Sequence, residues 1–417
     1  MMNKLIWLSF KNRIFSLSLA CLAIAMSVAL LLGIEKLSTS MRLSFQNSVS
    51  GTDLIIGSSG SPTNLLLYSV FHMGEASKNI TWQSYQDITN DPKVGWTIPI
   101  SLGDSHRGFR VIGTNENVFT HFKYGQKQPL EMQQGQKFDG LYQVVIGSQV
   151  AKKLGYKLGQ KVVITHGLSQ SGYSHKDKPF EVVGILKPTA TPVDKSLYVS
   201  LESITAIHLG WETGAPLTAE SFTLDKVQSL NLTPHDVSAI FLGLNRKADI
   251  FTLQRQINSY KEEPLLAIMP GLTLLDIWRN LNNVEGALTF VSLMVMLSSL
   301  FGLTAILLAT LNERRREMAI LRSLGARPLH ISAMLVGEAM FIGFMGIALG
   351  IGILYLCIIG FGPYVMDNYG VALNAYGMSK KELLWVLFIW LSIGIISLIP
   401  ALRAYFYTLH DGLSYKN

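Results

Sequence analysis

Four long stretches of this chain are almost free of charge. Ile14 to Ile34 is an uncharged apolar run between Arg13 and Glu35, and Ala287 to Leu311, Ser332 to Phe361 and Leu383 to Leu402 follow towards the other end. Only the third contains a charged residue, Glu338. About 20 apolar residues cover the roughly 30 Å of a bilayer's hydrocarbon, so the pattern predicts four transmembrane helices. Between the first and second runs, residues 35–272, the grammar changes to short β-branched stretches bounded by Gly, Asn and Pro, with a few amphipathic helical segments. The fold class that follows is a four-span α-helical membrane protein with a large α+β domain inserted between helices 1 and 2.

Within that domain the pattern predicts strands at Asp53–Ile56, Thr97–Ser101, Phe109–Gly113, Val144–Gly147, Lys161–His166, Phe180–Leu186, Ser196–Val199, Val237–Leu244 and Leu265–Met269. Helices are predicted at Trp82–Thr89, Ser148–Leu154 and Asp249–Tyr260. The arrangement suggests one subdomain built from distant halves, about 45–115 and 225–272, with a second inserted at about 116–224.

Composition agrees with the pattern: of 417 residues 49% are hydrophobic and only 15% charged. The net charge of +7 does not point to nucleic acid, because the basic excess sits beside the apolar runs: Lys4, Lys11 and Arg13, then Arg314, Arg315, Arg316, Arg322 and Arg327, then Arg403. Positive charge marks the cytoplasmic side. Residues 1–13, the loop 312–331 and the tail 403–417 are therefore expected inside, with the large domain and the short loop 362–382 outside. A cleaved signal ending at Cys21 fits poorly, since the apolar run continues well past that residue. Both cysteines, Cys21 and Cys357, lie in apolar runs, so the outer domain must rely on its core without disulfides.

Motifs for catalysis are missing. There is no GxxxxGK[ST] phosphate loop, no HExxH, no CxxC and no GxSxG. The expectation is a non-catalytic chain with no cofactor or metal of its own. Seven of the nine histidines fall in the outer domain, but none pair at i,i+4 and only His166 and His175 are near neighbours; they are read as scattered hydrogen-bonding residues rather than ligands. Glu338 is isolated from other ionisable groups in the spans and is assigned to helix packing or a bond to the arginine loop, and Gly346 with Gly350 forms a small-xxx-small pair for close helix approach.

The loop Glu313-Arg-Arg-Arg-Glu-Met-Ala-Ile-Leu-Arg-Ser-Leu-Gly-Ala-Arg327 is amphipathic. Met318, Leu321, Arg322 and Gly325 follow i, i+3, i+4, i+7 spacing, with Gly325 as the stop. The acids Glu313 and Glu317 among the arginines favour a helix that docks on protein over one held by anionic headgroups.

This stretch, "ERRREMAILRSLGARPLHI", resembles the FtsX-like permeases of type VII ABC transporters, whose members include MacB and the LolC and LolE lipoprotein-extraction subunits. The tail "IPALRAYFYTLHDGLSYK" and the early "GTDLIIGSSG" resemble the same family, so the likeness covers nearly the whole chain. It implies a permease in the bacterial inner membrane, paired with a second copy of itself in preference to a heterologue, and a periplasmic domain that meets an adaptor or lipoprotein. It also implies a separate LolD/MacB-type cytoplasmic ATPase dimer that holds ATP and Mg and docks under Glu313, Arg315, Glu317, Met318, Leu321, Arg322 and Gly325. The implied mechanism is mechanotransmission: the second helix, continuous with a stalk at Leu274–Val284, conveys ATP-driven motion to the periplasm to export or extract a lipoprotein, peptide or other amphiphile. The alternative is regulation of a periplasmic partner without transport. "LLLYSVFHMGEASKNI" and "PISLGDSHRGFRV" further resemble a subgroup of these permeases associated with zinc-responsive gene clusters, a likeness that assigns no ligand in this chain.

Overall fold

The computed structural model describes residues 14–48, 51–167, 174–209, 227, 230–313, 315–323, 325–369, 371–373 and 377–410. It forms two compact units, one of residues 1–40, 281–365 and 373–417, the other of residues 41–280 and 366–372.

In the first unit, among the described residues, four helices are long and apolar enough to cross a membrane. The helix α1 is Ile14–Asn47, α3 is Pro270–Glu313, α5 is Pro328–Tyr369 and α6 is Lys380–His410, with the short α2 (Leu201–His208) and α4 (Arg315–Ser323) between them in sequence. The spans read from the sequence end where charge begins, but helices do not. Residues 35–47 contain neither Gly nor Pro, so α1 continues past the apolar run to Asn47. Likewise α5, Pro328–Tyr369, extends beyond the apolar run 332–361 at both ends.

Close packing holds this unit. Cβ atoms added at Gly346 and Gly350 would lie 2.8 Å from Ile24 and 2.6 Å from the Ala25 carbonyl, so α5 rests on the backbone of α1 where those glycines stand. At Gly343 a Cβ would meet Ile393 of α6 at 2.5 Å. Ser27 Oγ bonds Ser299 Oγ at 2.5 Å between α1 and α3, and Ser332 Oγ donates to the Ala401 carbonyl at 3.0 Å between α5 and α6. Glu338 is half-buried on α5.

One end of α6 is built as a capping box. The Ser379 amide donates to Glu382 at 3.0 Å and the Glu382 amide donates to Ser379 Oγ at 3.1 Å. Glu382 also pairs with Lys36 at 3.5 Å, and Lys36 Nζ donates to the Gly377 carbonyl at 2.8 Å. Both side chains are at most one-tenth exposed, so the lysine is not left as an uncompensated buried cation.

The second unit contains two main sheets. In chain order the strands are β1 Leu54–Ser58, β2 Val94–Ile100, β3 Asp104–His106, β4 Phe109–Thr114, β5 Met132–Gly135, β6 Gln143–Ile146, β7 Lys161–Val162, β8 Thr165–His166, β9 Phe180–Leu186, β10 Ser196–Ser200, β11 Ala239–Leu244 and β12 Leu265–Ile268. The first sheet is antiparallel with order β12-β1-β11-β2. The second has order β7-β9-β6-β10-β4-β3-β8, with β5 also on β9. Its β9–β6 and β10–β4 pairs are parallel.

Strands 104–114 belong to the second sheet, so the switch between sheets falls near residues 101–103 and not at 116. By sequence they fall with the first half, because Phe109–Gly113 resembles the other apolar strands and strand pattern carries no information about partner. Alternation sorts the side chains instead. Ile55 and Phe241 of the first sheet and Ile112, Val145 and Tyr198 of the second share one cluster. Leu54, Ile56, Ile240 and Leu242 fill a core on the far face of the first sheet, and Val111, Val144, Ile146, Leu197 and Val199 one on the far face of the second. Both sheets are thus buried on both faces, which explains strands that read as continuous apolar runs.

Gly350 and Gly352 lie on the same helix, but a Cβ at Gly352 would meet nothing within 4 Å. Gly350→Ala should destabilise the detergent-purified protein by about 1–3 kcal/mol through overpacking, whereas Gly352→Ala should leave its thermal midpoint unchanged or raised. Equal midpoints for the two variants would contradict the close approach of α5 to α1.

Candidate functional site

The arginine loop lies between α3 and α5 and contains α4. Its C-terminus is a Schellman motif: the Ala326 amide donates to the Leu321 carbonyl at 3.0 Å and the Gly325 amide to the Arg322 carbonyl at 2.9 Å, with Gly325 at φ +92°. That backbone conformation strains any residue with a Cβ. α4 therefore has a fixed stop at Gly325, after which Pro328 opens α5.

Glu313, Arg315 and Glu317 are helical, and their side chains lie outside the described residues. Met318 is 7% exposed and packs with Leu311, Ile331, Leu335 and Ala404. The expectation that Met318 faces a partner is corrected here: among the described side chains of α4 it is the one buried against its own bundle. Leu321 and Arg322 are half-buried, while Ile320 is 47% exposed and is the large apolar side chain that α4 presents to solvent.

The outer unit gathers histidines that are far apart in sequence. Asp104 and His166 are directly opposed in the β3–β8 pair, and His166 Nδ1 lies 3.0 Å from Asp104 Oδ1. His208, the last residue of α2, brings Nε2 to 3.6 Å from the same oxygen and 3.3 Å from His166 Nδ1. His175 is buried, and its ring centroid is 5.4 Å from that of His208. Burial would raise the Asp104 carboxyl, but hydrogen bonds from His166 and His208 and their charge outweigh it and hold the group at about 2. His166 is raised by its hydrogen bond to Asp104, against burial, while burial and then the charge of His208 push His175 down to about 4. His106, on the same strand as Asp104, is turned to other partners, the Val163 carbonyl at 2.7 Å and Tyr156 Oη at 2.9 Å. The reading of these histidines as scattered thus fails for three of them. No spacing rule could have found the group, because strand pairing and a helix end assemble it.

The same unit holds a cavity of about 520 Å³. Met41, Phe45, Phe71 and Phe109 supply apolar walls, and Arg110 and Lys195 supply cations. Arg110 is largely buried; its Nη2 donates to the Gly74 carbonyl at 2.7 Å and its Nη1 reaches Glu75 at 3.8 Å. Phe45 stacks edge-on against Trp278 at 5.6 Å, and Arg42 lies over the same indole at 5.4 Å.

Sequence profiles of known families match both units. Residues 17–260 match the MacB-like periplasmic core domain, more than half of the chain, and residues 289–409 match the FtsX-like permease C-terminal domain. The chain belongs to the MacB/FtsX-type permease family. A search of curated protein sequences gives no match. Among solved structures, the periplasmic region of MacB from Actinobacillus actinomycetemcomitans is similar over 55% of this chain and 94% of its own, at 12% identity and a TM-score of 0.35. The extracellular domain of the noncanonic ABC-type transporter YknZ from Gram-positive bacteria is similar over 52% and 98%, at 15% identity and a TM-score of 0.29. Membership makes this MacB/FtsX-type permease a membrane subunit of an ABC transporter, of a non-catalytic kind whose ATPase partner is cytoplasmic. Its MacB-like domain stands in the periplasm, inserted between the first and second transmembrane helices.

In this permease the stop at Gly325 is open to test without steric confusion, since a Cβ there would meet nothing within 4 Å. Gly325→Val should cost about 1–2 kcal/mol of local stability, read as roughly ten-fold faster hydrogen exchange at the Ala326 amide. Gly325→Asn, which tolerates the left-handed region, should stay within about three-fold of the parent. Unchanged exchange in the valine variant would remove the Schellman stop from the argument.

Proposed function

We propose that this permease converts ATP binding and hydrolysis in a separate cytoplasmic ATPase dimer, which holds the ATP and Mg, into motion of its periplasmic domain, and that the motion exports or extracts a lipoprotein, peptide or other amphiphile at the inner membrane. The observation that carries the reading is α3. Its first turns place Leu274 and Trp278 in the periplasmic core shared by both sheets, and its last turn places Leu311 in the cluster that seats Met318 of α4. At 1.5 Å per residue a helix of this length is roughly 66 Å long, about twice the hydrocarbon thickness. A continuous helix transmits displacement along its axis because bending it breaks backbone hydrogen bonds.

Chemistry at each end supports the reading. Towards the ATPase, α4 is a short helix with a rigid stop, arginine on its polar side and Ile320 exposed. An amphiphile suits the apolar cavity with Arg110 and Lys195 at its walls, where an acyl or side-chain portion would meet the aromatics and an acidic group the cations. Because one chain contributes one such helix and an ATPase dimer presents two docking grooves, the assembly we propose contains two copies of this permease.

Glu317→Lys tests the coupling. The change adds a cation beside Arg314–Arg316 and removes a carboxylate that can pair with a basic residue of the ATPase, while leaving insertion intact because it adds positive charge on the cytoplasmic side. Normal amounts of permease in the membrane are expected, with ATPase co-purification lowered ten-fold or more; Ile320→Asp should act in the same direction. Retention of the ATPase by both variants at parental levels would exclude α4 as the docking element.

A further inference from the structure

The group formed by Asp104, His166, His175 and His208 has more order than a hydrogen-bonded cluster requires. Asp104 Oδ1, His166 Nδ1 and His208 Nε2 form a triangle with sides of 3.0, 3.3 and 3.6 Å. Ligands about 2.0–2.1 Å from a tetrahedral zinc ion are separated from each other by about 3.3 Å, so the triangle already has the dimensions of one tetrahedral face. His175 joins the group through a second set of three: one donor atom each from Asp104, His175 and His208 lie within 4.8 Å of one another.

The hydrogen bonding of His208 points the same way. His208 Nδ1 lies 2.8 Å from the Ile204 carbonyl, an acceptor, so this nitrogen donates there and Nε2 is the atom turned towards Asp104. A carbonyl holding the remote nitrogen of an imidazole is also the arrangement that orients a metal-bound histidine. Three imidazoles and one carboxylate, with no thiolate, suit the later divalent first-row ions over Ca²⁺ or Mg²⁺, which take oxygen ligands. Asp104 and His175 are buried, but the His166 side chain is 59% exposed, which gives an ion a path from solvent.

We propose that Asp104, His166, His175 and His208 form a tetrahedral binding site for a divalent transition-metal ion, zinc by donor set and geometry, in the periplasmic domain. The ion would tie together four positions that backbone bonds connect only in part: two strands at the end of the second sheet, the segment at His175 and the C-terminus of α2. It would act as a clasp whose occupancy sets the rigidity of that sheet end. This inference stands apart from the coupling proposal and does not depend on it.

The test uses the full-length protein in detergent, stripped with a chelator and titrated with zinc chloride against a chromophoric competitor. One zinc per chain is expected, with a rise in thermal midpoint on loading. Asp104→Asn and His208→Gln should each weaken binding by about a hundred-fold or more, beyond the ten- to hundred-fold of outer-sphere changes. His106→Gln, on the same strand but bonded to Tyr156 and Val163, should leave affinity unchanged. Cobalt(II) in place of zinc should give the intense visible bands of tetrahedral coordination, lost in Asp104→Asn. Should either of these variants fail to fold, His166→Gln decides the matter, because that side chain is exposed and its loss as a ligand should still lower affinity by about ten-fold or more. Absence of zinc binding at micromolar free metal, or equal binding by the parent and His166→Gln, would overturn the proposal.

Discussion

Everything the chain does outside the membrane depends on the antiparallel pairing of β1 with β12. The chain leaves the bilayer on α1 and returns on α3, so a domain inserted there must bring its two ends to neighbouring positions. The register Ile55↔Ile268 to Ser58↔Leu265 does so with backbone hydrogen bonds a few residues from each helix. β1 also takes β11 on its other edge, through Leu54↔Leu242 and Ile56↔Ile240, and is fully enclosed. Leu54, Ile55 and Ile56 are each completely buried, and full burial of such side chains contributes roughly 1.5–3 kcal/mol apiece. A slip of one residue would exchange Ile55 with its neighbours across the sheet and disrupt two cores at once.

The membrane spans and the periodic helices were legible because length and period are local properties. Trp82–Thr89 and Ser148–Leu154 match their sequence expectation at both ends, the first with Thr81 as N-cap and the second stopped by Gly155 at φ +69°. What was not legible was partnership. Phe109–Thr114 is a strand as expected, but its neighbours are Ser196–Ser200 and Asp104–His106, a choice that depends on residues far along the chain. The same limit hid the histidine cluster. His166 and His208 gain their meaning from Asp104, which in sequence is one acid among the Gly103-Asp-Ser-His106 turn-like residues and carries no sign of burial.

On the cytoplasmic side, the amphipathic period of 313–327 was readable, but its orientation was not. A helix with apolar residues on one side can turn that side to a partner or to its own bundle, and spacing alone does not choose. Met318 turns inward because Leu311, Leu335 and Ala404 leave an apolar seat for it. Ile320, two residues on and about 200° around the helix axis, then faces out. The inward residue fixes the angle at which the outward one is offered.

The glycine face of α5 has a consequence for the order of assembly. The residues it meets on α1, Ile24, Ala25 and Val28, are synthesised and inserted long before Gly346 and Gly350, and the whole periplasmic domain is made in the interval. During that time the α1 surface must be tolerated by lipid alone. Its side chains are small or aliphatic, and lipid tails solvate them as well as a protein partner does, so waiting costs little. When α5 arrives, the gain comes from close backbone approach, which lipid cannot supply. The first helix can therefore serve as an anchor throughout translocation and complete its packing only when α5 joins it.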